Sequence, residues 1–230
     1  MVAEEFNLML AERPENVLVA PGRPAIPHGE VQISGRTANL MYHHIVPFAT
    51  LKNFWNTLVG SGGLKGCSFL PLLWEKISKR QYSDMLHAVG GRLYDNDLRD
   101  VADLAIRLYE GTVIHGESAL RPTGWDNLTG VYAWLPGNLF VGPQNRLDDP
   151  KDSFDQAAVR VLQGAREKRC KDLSDANGKL LAYLGSAPGN RPTVPATAAL
   201  YKVAGYLRTE PYDGSYWTWN KDKDKPWLRS

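Results

Sequence analysis

Met41-Tyr42-His43-His44-Ile45-Val46-Pro47 is the stretch on which the fold of this chain turns. It closes an apolar, strand-like run over 37–43 and sets two adjacent imidazoles just ahead of Pro47. Neighbouring side chains on a strand point to opposite faces. Where the strand gives way to a loop, both can approach one site from different angles. One imidazole can then hold a metal ion while the other accepts a proton. The chain has five histidines, so this stretch concentrates two of them in one place.

Downstream of Pro47, Phe48, Leu51, Phe54 or Trp55, and Leu58 recur at helical spacing, which predicts a helix over 48–59 ended by Gly60-Ser61-Gly62-Gly63. Upstream, a short helix-capable start runs into Pro21, Pro24 and Pro27, which exclude regular helix. Residues 64–129 read as mostly helical, with candidates over 72–87 and 97–110. The second has Leu98, Val101, Ala102, Ala105, Leu108 and Tyr109 on one face, behind an Asp95-Asn96-Asp97 cap. A strand is expected over 130–134 and a short apolar one over 139–141, between turn clusters rich in Gly, Pro, Asn and Asp. Asp152 or Ser153 is then expected to cap a helix. Its buried stripe would be Phe154, Ala157, Ala158, Val161, Leu162 and Ala165, with Arg160, Arg166, Lys168 and Arg169 elsewhere on it. A proline-rich loop follows over 186–196, then a short helix over 196–206. The tail holds Trp217, Trp219 and Trp227, either as anchors to the core or as platforms for bases.

At 230 residues, 43% hydrophobic and 23% charged, the chain has the composition of an ordinary globular protein with a sizeable core. A net charge of +2 announces no nucleic-acid partner globally, so any basic groove must be local. Cys67 and Cys170 stand far apart and fit no metal or redox motif, which points to two unpaired thiols in a reducing compartment. No run of about 18 apolar residues is present, so no membrane span is expected. The N-terminus lacks a signal pattern, which points to a cytoplasmic product at synthesis; delivery to another cell would need a specialised route.

Strand with His-His-x-x-Pro, strand-loop with Asn138-Leu139-Phe140-Val141-Gly142-Pro143, then a helix opening near Asp148-Asp149-Pro150-Lys151-Asp152: in this order the chain resembles the HNH, or His-Me finger, endonuclease superfamily. The resemblance is nearest to the His-His-Ile-Val-Pro branches found among bacterial polymorphic toxins. It covers about a quarter of the chain, 37–58 and 131–160. It implies an α+β fold in which a β-hairpin and one helix form a ββα-metal core, with a helical insertion over 61–129 and a helical C-terminal half. The whole of 1–230 would be one domain, with a loop-rich extension over 1–36, the core split between 37–60 and 130–170, and a Trp-rich segment over 171–230.

The resemblance also implies roles. His44 would be the general base and His43 a metal ligand, while Asn138 would fix the loop that carries the base. The commonest pattern ends in a histidine ligand on the helix, and no histidine follows His115. Asn145, then Asp149, are the expected replacements, and such oxygen donors favour Mg²⁺ or Mn²⁺ over Zn²⁺. Arg146 is a candidate phosphate clamp. DNA is the expected partner, with RNA open, and toxin status would imply a cognate immunity protein. Each assignment has an ordinary alternative: a satisfied histidine pair, turn asparagines, a helix-start signal, an exposed arginine. At the level of the whole chain the competing readings are a non-catalytic nucleic-acid- or protein-binding module and a metal-dependent hydrolase of another substrate.

Overall fold

The computed structural model describes residues 29–82, 87–88, 91–92, 95–112, 122–162 and 166–229, with no side-chain account of 87–97 or 166. His28 and His115 lie outside the described residues, as does the expected N-terminal helix, and for His87 only the backbone is described. The fold is α+β.

Strand β1 (Glu30–Ile33) pairs antiparallel with β2 (Arg36–His44) through a turn in which Ser34 and Gly35 both take positive φ. After β2 the chain enters helix α1 (Phe48–Gly60), which buries Leu51, Phe54, Trp55 and Leu58 as their spacing predicts. Helix α2 (Phe69–Ser78), the two-residue strands β3 (His87–Ala88) and β4 (Gly91–Arg92), α3 (Asp95–Glu110) and α4 (Trp125–Ala133) follow. A 3₁₀ turn over Pro136–Asn138 then delivers β5 (Leu139–Pro143), which pairs antiparallel with β2 and completes a three-stranded sheet of order β1-β2-β5. The remainder is α5 (Arg166–Gly185), α6 (Thr193–Ala204) and a C-terminal hairpin of β6 (Trp217–Asn220) and β7 (Lys225–Leu228). No described helix is long and apolar enough to cross a membrane.

The core is aromatic at its centre. Trp55 of α1 meets Trp125 and Tyr132 of α4 at ring separations of 5.7 and 4.7 Å, and Phe54 meets Tyr183 of α5 at 4.8 Å. Aromatic pairs at such separations add about 1 kcal/mol each beyond area burial.

Three expectations are corrected. Residues 130–134 belong to α4 and its end, not to a strand, because Leu128 to Ala133 are buried on every side and carry no readable period. The continuous helix expected from Asp152 is instead a run of turns with a 3₁₀ segment over Ala157–Arg160. The hairpin β2–β5 is therefore not followed directly by an α-helix. Its route is fixed by backbone and buried charge: Asp155 N–H donates to Ile45 O at 2.9 Å, and the Asp155 carboxylate accepts from Ala158 N–H at 2.9 Å. Arg169, expected off the buried stripe, is buried on α5.

Candidate functional site

The site candidates gather where β2 and β5 end. The register sets His43 opposite Phe140 and His44 opposite Leu139. Because β2 runs as strand through His44, the two imidazoles leave on opposite faces. His43 is buried and stacks on Phe140, with centroids 5.1 Å apart and planes 19° apart. Its Nε2 lies 3.1 Å from the carbonyl oxygen of Pro143. A carbonyl only accepts, so Nε2 carries the proton and Nδ1 the lone pair. That Nδ1 faces Asp149, with Oδ2 at 3.7 Å. Burial, then the Arg146 charge, lowers the His43 pKa from 6.5 to about 4, against the opposing pull of Asp149. The ring is thus neutral at ordinary pH, the form in which a histidine binds metal.

His44 is half-buried and faces the helical side. Its Nε2 lies 2.9 Å from the carbonyl oxygen of Ala133, so the same logic puts the proton on Nε2 and the lone pair on Nδ1. Trp134, at 4.4 Å, and Phe48, at 5.6 Å, flank the ring. No described contact joins the two imidazoles or gives them a common partner.

Asn138 is buried and ties down the residues that follow the pair. Its side chain accepts from Val46 N–H at 2.7 Å and donates to Val46 O at 2.9 Å, while its own carbonyl accepts from Ile45 N–H at 2.9 Å. These three bonds hold the exit of β2 against the start of β5.

The remaining candidates divide. Asp149 sits beside His43, partly exposed, with its other oxygen taking a bond from Lys151 N–H at 2.8 Å. Asn145 is exposed at φ 59°, a left-handed turn position that Asn tolerates, and the structure gives it no contact with His43. Arg146 departs from the expected open clamp. Its side chain is fully buried, paired with Asp155, 3.6 Å from Asp148, and its guanidinium lies over the Phe140 ring at 5.2 Å. In this conformation it is committed to protein carboxylates.

Two donors, His43 Nδ1 and Asp149 Oδ2, therefore face one another. A lone pair and a carboxylate at this separation repel unless a proton or cation lies between them. Such a pair suits a hard ion that keeps much of its water, as Mg²⁺ does, better than a closed Zn²⁺ cage. Among the described residues no group of three or more His, Cys, Asp or Glu side chains is placed to hold a metal ion. Neither Cys67 nor Cys170 is in a disulfide, and Cys67 is buried.

Sequence reasoning missed several contributors. Trp134 and Phe48 wall His44, and Asp155 and Arg169 brace the loops. The run Asp148-Asp149-Pro150-Lys151-Asp152-Ser153-Phe154-Asp155 drew attention to its first acids, and nothing in it singled out Asp155.

No family model matches the chain, and no solved structure matches it. A relative is protein p9 of Acyrthosiphon pisum secondary endosymbiont phage 1, 26% identical over 165 residues, a match covering 66% of this chain and 42% of that protein. The match thus spans under half the length of this relative, whose name states no activity.

Proposed function

We propose that the chain is a metal-dependent endonuclease of the HNH, or His-Me finger, kind that hydrolyses phosphodiester bonds, with DNA as substrate. The observation that carries the reading is the division of labour within the pair. Both rings are held as Nε2–H tautomers by backbone carbonyls, on opposite faces of β2, and the Nδ1 of His43 faces the Asp149 carboxylate. His43 and Asp149 would hold the ion. When bound, a divalent ion supplies Lewis-acid stabilisation of charge on the phosphate and on the leaving oxygen. His44 would take the proton of the attacking water on Nδ1. As the imidazolium forms, its bond to Ala133 O becomes charge-assisted and strengthens. A phosphate served by both rings would lie across the end of β2, because the rings leave on opposite faces. Asn138 would keep that end from moving. The resemblance to toxin branches extends the proposal to a toxin or effector domain with a cognate immunity protein, made in the cytoplasm and exported by a specialised route.

A second reading, a binding module that does no chemistry, is favoured by one observation: turns and a 3₁₀ segment follow β5 where a ββα-metal core has an α-helix. The two part on a cleavage assay. Purified protein is incubated with supercoiled plasmid, and separately with single-stranded RNA, in Mg²⁺, Mn²⁺, Zn²⁺ or EDTA. Cutting that needs the ion supports the nuclease. Retention of nucleic acid with no cutting under any ion supports the binding module.

A further inference from the structure

Arg169 is a buried cation whose guanidinium faces backbone. Its Nε donates to Gly137 O at 3.0 Å, and Nη2 donates to Pro136 O at 3.3 Å and Leu139 O at 3.2 Å. Its Nη1 donates to Glu210 Oε2 at 3.1 Å. The three carbonyls come from the residues on either side of Asn138. Glu210 grips the same place through its backbone, with Glu210 N–H to Leu139 O at 3.0 Å and Val141 N–H to Glu210 O at 2.9 Å. Tyr206 completes the wall, its ring 5.8 Å from the guanidinium. Burying an arginine is costly, and its planar fork reaches several acceptors in fixed directions. Carbonyls on both sides of one residue, held by one rigid group, fix that residue's orientation.

We infer that Arg169, held by Glu210, is a positioning residue: it aims Asn138 at Ile45 and Val46 and so sets the end of β2 from which His44 projects. The structural half of this stands alone, and the catalytic half rests on the nuclease reading.

The test is amide hydrogen exchange on Arg169→Lys, which keeps the charge and loses the fork. Val46 N–H reports the bond to Asn138, and Leu58 N–H in α1 reports global opening. A control variant, Leu104→Ala, weakens the core elsewhere; Leu104 is buried in α3. Protection of Val46 is expected to fall at least tenfold more than that of Leu58 in Arg169→Lys, and equally with it in Leu104→Ala. Equal loss at both amides in Arg169→Lys overturns the inference. If that variant does not fold, Glu210→Gln is read in the same way. Cleavage is measured in parallel, and a tenfold or greater loss in Arg169→Lys is expected, with little further loss when Asn138→Ala is added to it. Selective loss at Val46 with undiminished cleavage overturns the link to His44. No cleavage by the unaltered protein removes the nuclease reading and leaves hydrogen exchange to decide the positioning role.

Discussion

His43 ties the site to protein stability through its protonation. Its folded pKa, about 4, lies below the ordinary 6.5, so the folded state binds fewer protons than the unfolded chain between those values. The stability it contributes is complete above pH 6.5 and is lost as pH falls through that window to about 4. The difference between those values corresponds to about 3 kcal/mol. Denaturant unfolding at pH 7 and pH 4.5 should show the unaltered protein losing more stability than His43→Gln, by an amount of this order. Equal losses would place the ring in contact with water. Arg146 gives a second prediction at this scale. As a buried partner of Asp155, its removal in Arg146→Ala should cost about 3–5 kcal/mol in the same measurement, because a carboxylate is left buried and unpaired. An open phosphate clamp would leave stability unchanged and lower only substrate binding.

The elements show which sequence signals were legible. Strand 36–44 and helix 48–60 stood out because their apolar residues alternate or recur at a period that one buried face imposes. The short strand over 139–143 was legible from its flanking turn residues, although all five of its residues are buried. Helix α4 was not, since Gly130-Val131-Tyr132-Ala133-Trp134 is rich in strand formers and tertiary packing overrode that preference. The C-terminal hairpin was missed despite its Trp217-Thr218-Trp219 alternation and the turn over 221–224, in which Asp224 takes φ 51°. It braces the site: Leu147 N–H donates to Pro226 O at 2.7 Å, and Trp217 packs against Gly142, where a Cβ would stand 2.9 Å from its ring. Of the site, the histidine pair, Asn138 and Asp149 were legible as residue types in order. Arg169 and Glu210 were not, because buried ion pairs between distant segments leave no local pattern. The turn over 136–138 makes its own prediction. A Cβ on Gly137 would lie 2.5 Å from Val203 O and 2.6 Å from Tyr206 Cβ, with backbone on one side and no room to yield. Gly137→Ala should destabilise by about 1–3 kcal/mol through overpacking, read as a lower denaturation midpoint.

Across the whole molecule, the candidate site is assembled from segments far apart in sequence. The exit of β2, the end of α4, the turn before β5, the loop after it, α5 and residue 210 each contribute a contact. In a chain organised this way many loosening substitutions would lower the proposed cleavage, so loss of cleavage alone would identify no catalytic group. The discriminating variant is one that folds normally and lacks the ring proposed to take the proton. The measurement is plasmid nicking in Mg²⁺ and Mn²⁺ by the unaltered protein and by His44→Ala, after the two are shown to have matching thermal midpoints. The account predicts ion-dependent nicking by the unaltered protein and a loss of at least a hundredfold in the variant, in keeping with removal of a general base. Nicking by His44→Ala at the unaltered rate, or none by either protein on DNA or RNA, would contradict it.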